Sequence, residues 1–171
     1  CGTMSVGKTT LVNALKELNQ FKGYKFATER SQHLMSLGIP LNTDSTLKGQ
    51  TVFLAERCGE LMYDNIITDR TILDVTAFTL NAKSIPYQDK EAFETYASEF
   101  IREYDYIFYI SPQGLEIEDN GVRETNEQYR NLIDSTITTL IKRHGHKAGA
   151  IEKISGSTEE RIQQILNVTK L

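Results

Sequence analysis

The chain has 171 residues and 19.4 kDa, with 39% hydrophobic and 25% charged side chains, which suits one domain, 1–171, with a full-sized core. A formal charge of −4 and a pI near 5.4 weigh against a broad nucleic-acid surface, although a local basic groove stays open. No apolar run reaches membrane-span length, no signal-peptide pattern opens the chain, and Cys1 and Cys58 form neither a CxxC pair nor a disulfide framework, so the expected location is a reducing cytoplasm.

The first element carries the strongest chemistry. Gly2-Thr3-Met4-Ser5-Val6-Gly7-Lys8-Thr9 fits G-x-x-x-x-G-K-[ST] at every fixed position, and Thr10 with the apolar run from Leu11 to Leu15 continues it as a helix. A tight turn entering a helix leaves several backbone N–H groups without helical partners, all aimed at one spot where the peptide dipoles add positive charge. Gly2 and Gly7 let the backbone approach phosphate oxygens. Lys8 is expected to reach the β- and γ-phosphates of ATP, and the Thr9 hydroxyl to take a place on Mg²⁺. The motif requires a strand before it, and only Cys1 precedes Gly2. The expectation is that the first strand lies upstream of the 171 residues; a strand donated by a partner chain is the alternative.

Further along, residues 23–28 read as a short buried strand ending at Glu29-Arg30, and 31–45 as a loop marked by Gly38, Pro40 and Asn42. Residues 49–63 have helical spacing, and 65–69 are a compact β-branched strand. In 91–104, Phe93, Tyr96, Ala97, Phe100, Ile101 and Tyr104 recur at three- and four-residue intervals, predicting an amphipathic helix. A strand at 104–111, a polar loop at 113–124, a helix at 125–144 and a strand at 148–155 follow. Ser157-Thr158-Glu159-Glu160 is a capping box opening the final helix. This alternation predicts an α/β fold, and with the upstream strand it gives five parallel strands with helices on both faces. The helices at 49–63 and 91–104 either bury their faces in the core or share them with a second subunit in a homodimer.

The strand at 65–69 ends in Asp69-Arg70 and turns into a helix. Functional groups in open α/β sheets gather beyond the carboxyl ends of the strands, so both side chains are expected to face the phosphate loop. Asp69 there can hold Mg²⁺, and Arg70 can clamp a phosphate or an acceptor group. The alternative is a surface Asp–Arg pair.

These two segments resemble known kinases. Asp69-Arg70-Thr71-Ile72-Leu73-Asp74-Val75-Thr76-Ala77-Phe78 resembles the D-R-Y-x-x-S-x-x-A-Y segment of thymidylate kinases and the E-R-S segment of deoxynucleoside kinases. Residues 2–15 resemble the phosphate loop of the ribosylnicotinamide-kinase domain found in the bacterial NAD-salvage regulator. The resemblance implies a P-loop NTPase three-layer sandwich with strand order 2-3-1-4-5, in the nucleoside and nucleoside-monophosphate kinase branch. It implies that Glu29 accepts the acceptor hydroxyl's proton, against a solvated Glu-Arg pair. It places Gln50 and Arg57 on the acceptor, against a merely polar helix face. It makes 113–124 a lid in which Arg123 meets the charge on the transferred group, with Arg130 sharing its face, against a plain surface loop. It also puts backbone contacts to adenine at Ser155-Gly156-Ser157. Asp74 departs from the thymidylate-kinase serine and Thr71 from its tyrosine, which argues against a thymidylate acceptor and leaves the ATP side intact.

The expected activity is therefore an ATP- and Mg²⁺-dependent transfer of the γ-phosphate to a small nucleoside-like or nucleotide-like acceptor. The residues expected to carry it are Lys8, Glu29, Asp69, Arg70 and Arg123. The rivals are an NTP-hydrolysing regulatory ATPase and a kinase of a polynucleotide end or modified base. No N/T-K-x-D motif is present to read guanine.

Overall fold

The computed structural model describes residues 1–28, 31–115 and 126–171. Glu29, Arg30 and the stretch 116–125, with Arg123 and most of the anticipated lid, lie outside the described residues. In chain order the elements are α1 (Lys8–Lys16), β1 (Lys25–Ala27), α2 (Ser31–Ser36), α3 (Leu47–Glu60), β2 (Ile66–Thr68) and α4 (Ile72–Asn81). Then come α5 (Tyr87–Ser98), β3 (Tyr106–Ile110), α6 (Glu127–His144), β4 (Ala150–Ile154) and α7 (Thr158–Thr169).

Three segments differ from the sequence reading. The strand expected to be buried over 23–28 is β1, in which Lys25 is exposed and Phe26 and Ala27 are half-buried, because it lies outside the most buried part of the core. Residues 31–45 hold α2 and a 3-10 turn at Asn42–Asp44 rather than an unbroken loop, because buried Leu34 anchors a short helix before Gly38 and Pro40 end it. The helix expected over 91–104 starts earlier, behind Pro86, and gives way at Glu99–Glu103 to a 3-10 turn. Phe93, Ala97, Ile101 and Tyr104 are buried as the spacing requires, whereas Tyr96 lies at the edge of that stripe and is exposed.

β1 pairs in parallel with β2, Phe26 opposite Ile67, and β3 pairs in parallel with β4, Phe108 opposite Glu152. The described strands thus form two parallel pairs. The backbone at Cys1 runs beside β3: its nitrogen donates to the Phe108 carbonyl at 2.7 Å, and Ile110 N–H donates to the Cys1 carbonyl at 3.0 Å. These bonds follow the slanted pattern of a parallel ladder. A cavity of about 280 Å³ lies between β2 and β3, bordered by Leu11, Leu15, Ile67, Asp69 and Ile107.

Side-chain alternation along β3 divides the core. Ile107 and Tyr109 join a cluster with Leu54, Leu73, Phe93, Ile133 and Ile137 from α3, α4, α5 and α6. Ile110 turns to the opposite cluster, with Val6, Leu11, Leu15, Ile154 and Ile165, against α1 and α7. Helices therefore cover both faces. Among the described residues no helix is long and apolar enough to cross a membrane.

Candidate active site

The phosphate loop is shaped by backbone that few residue types tolerate. Gly7 caps α1 at φ 79°, and Ser5 adopts φ 56°. A Cβ on Gly2 would stand 2.6 Å from the Ile110 carbonyl oxygen, so only glycine fits where the loop leaves β3. Thr3, Met4 and Val6 are buried, which leaves their backbone rather than their side chains to face a ligand. Neighbouring elements hold the loop from outside. Thr3 Oγ1 donates to the Arg130 carbonyl at 3.1 Å, and buried Arg161 on α7 donates to the Val6 carbonyl at 2.8 Å. Lys8 Nζ donates to the Gly2 and Thr3 carbonyls, both at 2.6 Å.

The strand-end carboxylate meets this loop as its position after β2 requires. Thr9 Oγ1 donates to Asp69 Oδ2 at 2.7 Å. Asp69 is buried, and its Oδ1 has no hydrogen-bond partner among the described residues. A hydroxyl and an unsatisfied carboxylate oxygen are the hard oxygen donors that Mg²⁺ takes, so Thr9 and Asp69 fit that ion. No group of three or more His, Cys, Asp or Glu at metal-binding spacing occurs among the described residues. Arg70 is half-buried, with its guanidinium carbon 5.2 Å from the centre of the Phe78 ring.

Gln50 and Arg57 share one face of α3, and both are buried, at 4% and 2% exposure, so that face is not a solvated polar surface. Arg57 Nη2 donates to Glu60 Oε1 at 2.6 Å, while its Nε and Nη1 have no partner among the described residues. The Thr68 hydroxyl lies within hydrogen-bond distance of Glu60 Oε2 (3.1 Å) and of the Arg70 carbonyl (2.9 Å). Burial pushes the Glu60 carboxyl above its ordinary pKa, against the opposing pull of Arg57 and the Thr68 hydroxyl. Arg130 is buried and donates to the Leu115 and Pro112 carbonyls at 2.7 and 3.2 Å, tying α6 to the chain beyond β3.

Three groups carry geometry that their sequence positions did not assign. Asp74 takes part in a capping box with Thr71, the same [ST]-x-x-[DE] signature as Ser157 and Glu160, so the sequence held a signal for it. Glu60 and Arg161 had none; each is a charged residue on an amphipathic helix until the fold turns it inward. Ser155-Gly156-Ser157 leads into α7, where Ser157 N–H donates to Glu160 Oε2 at 2.7 Å. His144 sits 2.8 Å from Glu94 rather than near the loop.

A phosphate loop before α1, met by Asp69 from the end of a parallel strand, defines a P-loop protein. The chain belongs to the AAA domain family, whose model matches residues 1–161. No curated relative matches it in sequence. Its fold is that of a deoxynucleoside kinase: deoxyadenosine kinase from M. mycoides, with products dCMP and a flexible dCDP bound, superposes with a TM-score of 0.68 at 19% identity, over 99% of this chain and 96% of that one. The same kinase with bound dCTP gives 0.66 at 19% identity and the same coverage.

Proposed function

We propose that this chain transfers the γ-phosphate of ATP to a small nucleoside-like or nucleotide-like acceptor. The observation that carries the reading is the meeting of Thr9 and Asp69, a phosphate-loop hydroxyl bonded to a buried strand-end carboxylate that keeps one oxygen unsatisfied. The likeness in fold to a deoxyadenosine kinase supports a kinase over a plain NTPase.

In this reading the loop amides at the start of α1 and the Lys8 ammonium hold the β- and γ-phosphates. Lys8 does so by exchanging its bonds to the Gly2 and Thr3 carbonyls for phosphate oxygens. Thr9 and Asp69 would hold Mg²⁺, which when bound neutralises charge across the phosphate oxygens. Arg70, Gln50 and Arg57 orient the acceptor, and the two unpartnered nitrogens of Arg57 are donors for its polar groups. Glu29 accepts the proton of the attacking hydroxyl as its oxygen bonds to the γ-phosphorus and the bond to the ADP oxygen breaks. Arg123, in the lid at 113–124, meets the charge on the transferred group. The parallel ladder at Cys1 supports one sheet in which the backbone entering at Cys1 runs between the β1–β2 pair and the β3–β4 pair, which is the order 2-3-1-4-5 when that entering strand is counted first.

The test is ADP release from ATP and Mg²⁺ with and without a panel of nucleosides, ribosylnicotinamide and nucleoside monophosphates. Strong stimulation by one acceptor, with its phosphorylated product seen by mass, is the expected result. Slow release indifferent to every small acceptor would overturn the kinase and favour a regulatory ATPase or a macromolecular acceptor.

A further inference from the structure

Asp74 is a fully buried carboxylate on the first turn of α4. Its two oxygens face two different parts of the site. Oδ1 accepts from the Gly2 N–H at 2.9 Å, across 72 residues of sequence. Oδ2 accepts from the Thr71 N–H at 2.7 Å and the Thr71 Oγ1 at 2.8 Å. Thr71 directly follows Asp69-Arg70, so one side chain bridges the phosphate loop to the segment that carries the strand-end carboxylate Asp69. Helix capping alone explains the Thr71 bonds but not the bond to Gly2. Both oxygens act as acceptors in these three bonds.

We infer that Asp74 is a positioning residue for phosphoryl transfer, a clamp that sets the phosphate loop in register with Asp69 and Arg70. The inference rests on the kinase reading for its assay, while the clamp itself rests on the three bonds. Both motifs reach the reacting centre from separate strands, and transfer demands that they stay aligned to within a fraction of an ångström. A carboxylate accepting on both oxygens fixes that distance; a serine at this position has one oxygen and cannot span the two.

Asp74→Asn keeps the shape but turns one acceptor into a donor, so it must lose either the Gly2 bond or the Thr71 N–H bond. The expected result is a kcat reduced on the order of tenfold to a hundredfold in protein that stays folded at the assay temperature, with acceptor KM changed less than about threefold. A purely structural role would lower the midpoint of thermal unfolding and leave kcat of the folded fraction unchanged, and that outcome overturns the inference. If Asp74→Asn does not fold, Asp74→Glu keeps both acceptor oxygens on a longer arm. A folded Asp74→Glu enzyme with reduced kcat supports the clamp, and one with wild-type kcat overturns it. Absence of transfer by the wild-type protein would instead sink the kinase reading. The clamp would then be judged on calorimetric Mg·ADP affinity, which Asp74→Asn should weaken about tenfold or more and which an unchanged affinity would refute.

Discussion

Replacing Gly2 by alanine tests the shape of the phosphate loop most directly. The added Cβ would lie 2.6 Å from the Ile110 carbonyl oxygen and 3.2 Å from Val6 Cγ2. An ordinary carbon–oxygen contact is about 3.3 Å, so the loop or the end of β3 must yield by about 0.7 Å. Neither gives easily. Gly2 N–H is held by Asp74, its carbonyl by Lys8, and Ile110 N–H by the Cys1 carbonyl. Displacements of about 1 Å in positioning groups cost on the order of a hundredfold in rate, so Gly2→Ala should lower kcat/KM for ATP by roughly ten- to a hundredfold. Overpacking adds about 1–3 kcal/mol of instability. At about 2–4 °C per kcal/mol for a domain of this size, the unfolding midpoint should drop by at least a few degrees. Steady-state kinetics with the acceptor found in the panel, beside a thermal melt, measures both. A Gly2→Ala protein with kcat/KM within twofold of wild type and an unshifted midpoint would refute the steric argument.

Other substitutions separate chemistry from stability. Lys8→Ala removes two bonds to loop carbonyls, so turnover should vanish while the melt stays within a few degrees; normal ATP turnover would remove Lys8 from the mechanism. Gly59→Ala, in α3 with open space around its Cβ, should stabilise by up to about 1 kcal/mol, seen as a raised midpoint. Burial raises the Glu94 pKa, but bonds from His144 and Arg143 outweigh it and leave the carboxyl below its ordinary value of 4.5. A depressed folded-state pKa contributes stability above the unfolded pKa that disappears as pH falls through the folded value. Glu94→Gln should therefore melt below wild type at pH 7, by less than about 1 kcal/mol because Arg143 is exposed, and the gap should shrink as pH falls below 4.5. A gap that persists at low pH would assign the loss to packing instead.

The helix and strand sequence was legible where one periodicity persisted. Strands β2, β3 and β4, helix α6 and the capping box of α7 follow from β-branched runs, three- and four-residue spacing, and a local hydrogen-bond pattern. α2 was not legible, since a six-residue helix with one buried leucine has too few repeats to separate it from a loop. The phosphate loop and the convergence of Asp69 on Thr9 could be read because both rest on motifs with fixed spacing and on the rule for strand ends. Burial of Gln50 and Arg57 could not be decided, because a seven-residue interval gives a shared face without saying what covers it. The roles of Asp74 and Arg161 depend on contacts with residues 2 and 6, which lie 72 and 155 residues away, and no local pattern encodes such a distance.

If the loop holds phosphate as proposed, the fold-back of Lys8 onto the Gly2 and Thr3 carbonyls would set a lower size limit on what it retains. A ligand must replace two short, charge-assisted bonds before it gains anything from the ammonium. A single tetrahedral anion such as orthophosphate or sulfate offers little surplus over the carbonyls it displaces, whereas a di- or triphosphate adds further oxygens for the amides at the start of α1. The same carbonyls give the ammonium somewhere to return when a phosphate chain shortens by one. On the kinase reading the loop would thereby favour longer phosphate chains over single anions, using only its own backbone.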